Sequence, residues 1–290
     1  MTIETSKNTI SIGGDMLVDR LGYGAMQLTG PGVWGPPADI DAAQAVLRKA
    51  VDLGVTYIDT ADVYGPGDNE RLIRDALRPY SRDIVVGTKG GMVRSGPATR
   101  ENPGMAMNGS EAHIRAAVEG SLRDLGVERI DLYQQHRVDP ATPIEDTMAV
   151  FRALQQEGKI RHIGLSEVGV AQIEQARAVV DIATVQNVYS LAIRRHNDVL
   201  AYCEANAIAF IAFWPIHLEH LASSPVLGDI AARMNATRGQ VAIAWILNRS
   251  RSLIAIPGTS SVAHLSENMA ARDIVLAPQD IAALDALDFV

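Results

Sequence analysis

IDLYQQHRVDPATPIEDTMAVFRALQQEGKIRHIGLS, residues 130–166, reads as one complete strand–helix–strand unit. Ile130–His136 and Arg161–Ser166 are short runs with the look of strands, and PIEDTMAVFRALQQEG (143–158) between them is a helix. Pro143 opens that helix and Gly158 closes it, the asymmetry of a segment with a fixed start and stop. Two strands joined through a helical crossover run parallel.

The same alternation continues outward in both directions. Strands are expected at Leu21–Met26 (LGYGAM), Val55–Asp59 (VTYID), Ile84–Lys89 (IVVGTK), Ile182–Asn187 (IATVQN), Ile208–Trp214 (IAFIAFW) and Leu253–Gly258 (LIAIPG). With the two above, that makes eight. Asp39–Leu53 places Ile40, Ala43, Leu47, Ala50 and Val51 at helical spacing and ends at Gly54. Ser110 is an expected N-cap for a helix that closes at Gly126. Further helices are expected near 169–179, 195–206, 237–249 and 278–288. Eight evenly spaced units favour a closed (β/α)8 TIM barrel over an open doubly wound sheet. The open sheet would usually carry G-x-G-x-x-G after its first strand, and this chain has no such motif. One domain spanning 1–290 suffices. Turn signals at Ile12-Gly13-Gly14-Asp15 predict a short N-terminal hairpin capping the barrel floor.

Composition narrows the function classes. The net charge of −8 is the wrong sign for a nucleic-acid binder. The single cysteine, Cys203, allows no disulfide within the chain. The polar start MTIETSKNTI reads as no secretory signal, and no apolar run has the length of a membrane helix. A cytoplasmic protein acting on a small molecule is expected, with no nucleic-acid or membrane partner. His113, His162, His217, His220 and His264 lack metal-ligand spacing, so no metal is expected.

Chemistry in such a barrel sits at the C-terminal ends of the strands. Asp59 ends the second expected strand, with Tyr64 just beyond it; Lys89 ends the third and His136 the fourth. Singly, each has a bland reading as a cap, a rim aromatic or a solvated charge. At neighbouring strand ends they converge on one mouth. Hydride delivery to a carbonyl leaves an alkoxide that needs a proton, which a tyrosine can give. A lysine cation nearby would lower the phenol's pKa, an aspartate would hold the ammonium in place, and a histidine would orient the substrate oxygen. Two long connections, Gly90–Gly109 and Pro215 to about Pro225, follow strand ends and would wall the pocket.

YIDTADVYG, VVGTK, IDLYQQH, HIGLSE, TVQNVYSL and IPGTSSVAHLSEN resemble, in order, the signature segments of the aldo-keto reductases. The opening LGYGAMQLTGPGVWGPP is similar to bacterial members that act as pyridoxal reductases or pyridoxine 4-dehydrogenases. The resemblance implies carbonyl reduction with NADPH, NADH being the alternative, by a tetrad of Asp59, Tyr64, Lys89 and His136. It implies nicotinamide contacts from Ser166, Glu167 and Gln186, with ring stacking on Phe213 beside Trp214 and Pro215. Glu167 stands where many members have Asn, and a carboxylate cannot donate to an amide oxygen. Gly24, Ala25, Met26, Ile256 and Gly258 are implied cofactor contacts. Thr259, Ser260, Ser261, His264, Glu267 and Asn268 are implied at the adenosine end. Gly258 and His264 replace residues that are often Lys and Arg there. Trp34 and Met92 are candidate substrate contacts, and Met105 and Met107 share their loop face. Two other readings use the same residues: a lyase forming a Schiff base on Lys89, and a nucleotide-binding sensor with little turnover.

Overall fold

The structure is a computed structural model and describes residues 8–288. The polar segment preceding residue 8, on which the reading of the N-terminus rests, lies outside the described residues. In chain order the elements begin with strands β1 (Thr9–Ile12), β2 (Met16–Asp19) and β3 (Tyr23–Gly24), then helix α1 (Ile40–Asp52), β4 (Tyr57–Asp59) and α2 (Asp68–Leu77). Next come β5 (Val85–Gly90), β6 (Met92–Arg94), β7 (Met105–Met107), α3 (Glu111–Leu125), β8 (Ile130–Gln135), α4 (Ile144–Gln156) and β9 (Ile160–Ser166). The second half holds α5 (Val170–Arg177), β10 (Thr184–Val188), α6 (Asn197–Ala205), β11 (Ala209–Phe213), α7 (Leu218–Leu221), α8 (Pro225–Arg233) and α9 (Arg238–Arg249). It ends with β12 (Leu253–Ala255), α10 (Val262–Ala270) and α11 (Pro278–Asp285).

Eight strands form one sheet in the order β12-β11-β10-β9-β8-β5-β4-β3, every neighbouring pair parallel. A parallel bridge between Leu21 and Ala255 joins the two edges and closes the barrel. At that seam the backbones nearly touch. A Cβ on Gly24 would lie 2.9 Å from the Ile256 carbonyl oxygen, and one on Gly258 would lie 2.8 Å from that of Gly24. Only glycine allows so close an approach.

The N-terminal hairpin is present and plugs the floor. β1 and β2 pair antiparallel, with Gly13 and Gly14 in the left-handed region at the turn. Ile12, Met16 and Val18 pack into the barrel interior against Tyr57, Val85, Leu132, Ile211 and Ile254. Asp15 accepts from Arg161 (2.7 Å) and His162 (2.6 Å) near the start of β9.

The expected strands and helices recur with trimmed ends, and the differences have local causes. α2 escapes the periodicity test because two of its inward residues, Asn69 and Glu70, are polar. Asn69 donates to the carbonyls of Ala25 and Leu28 and accepts from Thr60, so its burial is satisfied. Ser224 caps α8, another helix that was not anticipated. The connection after β5 folds back on itself as the β6–β7 hairpin. Ser110 sits at the N-cap of α3, but its hydroxyl donates to Asn108 (2.7 Å) and does not cap the helix. No helix among the described residues is long and apolar enough to cross a membrane.

Candidate active site

Asp59 at the end of β4 is the hub of the barrel mouth. Its Oδ2 accepts from Lys89 Nζ at 2.6 Å, and its Oδ1 accepts from Gln186 Nε2 at 2.7 Å and from the Tyr57 hydroxyl at 3.2 Å. The Lys89 ammonium also donates to the Thr60 carbonyl at 2.8 Å. That ammonium stands 5.4 Å from the centre of the Tyr64 ring. Tyr64 meets His136 edge to face, with ring centres 5.8 Å apart. The four residues named from three strand ends are therefore in one cluster.

Burial governs their electrostatics. The Tyr64 phenol is pushed above its ordinary value, because desolvation outweighs the opposing influence of the Lys89 and Arg137 cations. The sequence reading expected the lysine to win and lower it. The opposite balance makes Tyr64 a protonated phenol at neutral pH, which is the form a proton donor needs. His136 is held well below the usual imidazole range by burial, then by the charges of Lys89 and Arg137. It is a neutral ring, and its Nδ1 is buried with no partner.

Above the cluster lies a cavity of about 440 Å³, within the range of small-molecule sites. Asp59, Tyr64 and His136 line it, and Lys89 does not. An ammonium committed to Asp59 and Thr60 behind the wall is poorly placed to form an imine with a substrate. Met92 and Met105 also line the cavity. Trp34 does not; its neighbour Val33 does. The Arg94 guanidinium, tethered to the Gly32 carbonyl, packs 5.9 Å from the Trp34 ring centre and leaves the indole 38% exposed. Met107 is exposed and outside the cavity. Among the described residues no group of His, Cys, Asp and Glu side chains is arranged to hold a metal ion.

The model of the Aldo/keto reductase family matches residues 20–288. The chain belongs to that family. It is 42% identical to the pyridoxine 4-dehydrogenase of Escherichia coli, over 97% of this chain and 99% of that protein. Its fold is similar to the glycerol dehydrogenase of Gluconobacter oxydans, with a TM-score of 0.84, 28% identity, and coverage of 97% of this chain and 95% of the other. It is also similar to an aldo/keto reductase of Klebsiella pneumoniae crystallised with NADP and acetate, with a TM-score of 0.80, 28% identity, and coverage of 97% and 95%.

In this aldo/keto reductase, Gly24, Met26, Ser166, Glu167, Gln186, Phe213, Trp214, Pro215, Ile256 and Gly258 all border the same cavity. Ala25 is a correction. It is buried in the core, and its carbonyl accepts from Asn69. Gln186 gives its amide nitrogen to Asp59, which leaves its amide oxygen to accept from a ligand. Glu167 is fully committed: one oxygen accepts from the Val188 backbone at 2.7 Å and the other from Arg195 at 3.1 Å. Glu167 and Trp214, at the ends of β9 and β11, both have left-handed φ, a strain that gathers at functional sites.

Thr259, Ser260, Ser261, His264, Glu267 and Asn268 lie beyond β12 and outside the cavity lining. Several are already occupied. Ser261 caps α10, Thr259 bonds Ser261 N and the Tyr23 hydroxyl, Glu267 accepts from Thr237, and Asn268 is buried. A nicotinamide cofactor fits this surround: an aromatic face at Phe213, a free amide oxygen at Gln186, a hydroxyl at Ser166, and the start of α10 for an anion.

The sequence reading missed Tyr57, Arg94, Arg137 and Arg195. Tyr57 was legible, since it lies two residues from Asp59 on the same strand face. Arg137 follows His136 directly. Arg94 and Arg195 come from loops whose course no periodicity reveals.

Proposed function

We propose that this aldo/keto reductase reduces an aldehyde or ketone to an alcohol with NADPH, Tyr64 giving the proton. The observation that carries the reading is the convergence of Tyr64, His136 and the Asp59–Lys89 pair at the floor of one cavity. Bound there, the nicotinamide supplies a hydride to the carbonyl carbon. Tyr64 transfers its phenolic proton to the carbonyl oxygen as negative charge grows there. The Lys89 ammonium stabilises the phenolate that remains, and Asp59 fixes the ammonium in place. The neutral His136 orients the oxygen without competing as an acid. Ser166 and Gln186 hold the carboxamide, and Phe213 offers its ring face.

Met92, Met105, Val33, Ile193 and Ile216 supply apolar walls around this polar focus, which suits a carbonyl on an aromatic or alicyclic skeleton. Pyridoxal belongs to that class, and the 42% identity to pyridoxine 4-dehydrogenase supports including it. The proposed setting is the cytoplasm, in keeping with a lone, buried, free Cys203. The test is oxidation of NADPH and of NADH with pyridoxal, nitrobenzaldehyde and cyclic ketones. NADPH-dependent turnover of at least one is expected. Tight NADPH binding with no turnover across the panel would favour a sensor and overturn the proposal.

A further inference from the structure

Arg137 has no role in the tetrad, yet it touches the residues around it. Its Nη1 donates to the His136 carbonyl at 2.6 Å and to Ser166 Oγ at 3.0 Å. Its guanidinium carbon lies 5.9 Å from the centre of the Phe213 ring. It therefore spans β8, β9 and β11 on the wall where Ser166, Gln186 and Phe213 face the cavity, and it lines that cavity itself.

The donor inventory of this wall is short. Glu167 has no hydrogen to give, and both of its oxygens are in use. The Gln186 amide nitrogen gives one of its two hydrogens to Asp59. What remains for a carbonyl oxygen arriving here is the second Gln186 N–H, the Ser166 hydroxyl and the guanidinium held against that hydroxyl. The charge inventory is also unequal. Lys89 is paired with Asp59, and Arg195 with Glu167. Arg94 is tied to Gly32 and Trp34 on the β6 side. Arg137 forms no ion pair among the described residues, and Glu167, the carboxylate that acts on it, already pairs with Arg195, so this wall carries one positive charge in excess.

We propose that Arg137 is a cofactor-binding residue that donates to the nicotinamide carboxamide oxygen and selects the reduced cofactor over the oxidised one. The proposal rests on the nicotinamide reading above. The oxidised ring carries a positive charge and the reduced ring none. A fixed guanidinium beside the ring repels only the oxidised form. At separations of several ångströms in a partly buried site, one such charge is worth on the order of tenfold in relative affinity.

The experiment is direct binding, by fluorescence or calorimetric titration, of NADPH, NADP+ and 2′-phospho-ADP-ribose to the whole protein. Wild type is expected to bind NADPH more tightly than NADP+. Arg137→Met should weaken NADPH and narrow the NADPH-to-NADP+ affinity ratio by about tenfold, while 2′-phospho-ADP-ribose, which lacks the nicotinamide, binds as before. Arg137→Lys keeps the charge and loses the planar fork, so it should weaken NADPH yet preserve the ratio. An unchanged ratio in Arg137→Met, or equal weakening of all three ligands, overturns the proposal in favour of a purely structural arginine. A wild type that binds none of the three overturns the nicotinamide reading beneath it.

Discussion

Lys89 Nζ and Asp59 Oδ2 meet at 2.6 Å with side chains only 1% and 5% exposed, an ion pair carried on adjacent barrel strands and sealed from solvent. Removing one partner of such a pair leaves a buried charge uncompensated. Lys89→Met is expected to cost about 3–5 kcal/mol of stability and to cut turnover by orders of magnitude. Adding Asp59→Asn removes the stranded carboxylate, so the double variant should regain stability without regaining activity. Urea unfolding of the two variants beside turnover checks this. Equal stability of Lys89→Met and wild type would contradict the sealed pair.

Tyr64 titrates above the ordinary phenol. With Tyr64 as the proposed proton donor, carbonyl reduction would use the protonated form, so its rate should show no loss from Tyr64 ionisation until the pH passes about 10. On the same proposal, alcohol oxidation would use the phenolate and should rise with pH over the same range. Tyr64→Phe should lower reduction by at least about a hundredfold while NADPH binding persists. Steady-state rates in both directions from pH 6 to 10 decide the matter.

Glu70 is buried on α2, with the Thr88 hydroxyl of β5 donating to it at 2.6 Å, and burial pushes its carboxyl up to about 7. A carboxyl raised in the folded state contributes stability at low pH that disappears as pH rises from the unfolded value of 4.5 through 7. Glu70→Gln keeps an acceptor for Thr88 and cannot ionise. Relative to this variant, wild type should lose about 3 kcal/mol between pH 4.5 and 8. Denaturant unfolding at both ends of that window measures the difference, and parallel curves would show that Glu70 does not titrate in this way.

Gly258→Ala puts a methyl 2.8 Å from the Gly24 carbonyl oxygen, backbone against backbone. The expected loss is about 1–3 kcal/mol, the usual result of overpacking. Gly96→Ala, where a Cβ would meet nothing within 4 Å, is the matched control and should be near neutral. Thermal unfolding of the two variants side by side provides the comparison.

Residues 130–166 carried the fold in plain view, because the helix from Ile144 to Gln156 is amphipathic and its neighbours β8 and β9 are long. β3 has two residues and α2 turns polar groups inward, so neither announces itself through periodicity. The clustering of four side chains was legible for a related reason: strand ends are fixed points, and Asp59, Lys89 and His136 lie at them. Trp34 stands just outside the cavity lining because its place depends on how Gly32, with φ +68, and Arg94 turn the loop, and no local pattern encodes that pairing. The balance at Tyr64 was misjudged because a sequence reveals the neighbouring cation but not the depth of burial.

The seam of the barrel has a further bearing on the molecule's behaviour. Gly24, Met26 and Gln27 border the cavity from one end of the chain's path around the ring, and Ile256, Pro257 and Gly258 from the other. Whatever fills the cavity touches both at once, beside the joint that includes the Leu21–Ala255 bridge. The occupant then adds a clasp to a hoop already fastened by the Gly22–Ala255 and Ala255–Arg20 backbone bonds and by the Arg20 and Tyr23 side chains. Opening at this joint must wait for the ligand to leave, so resistance to unfolding and to proteolysis should track occupancy, as linkage requires.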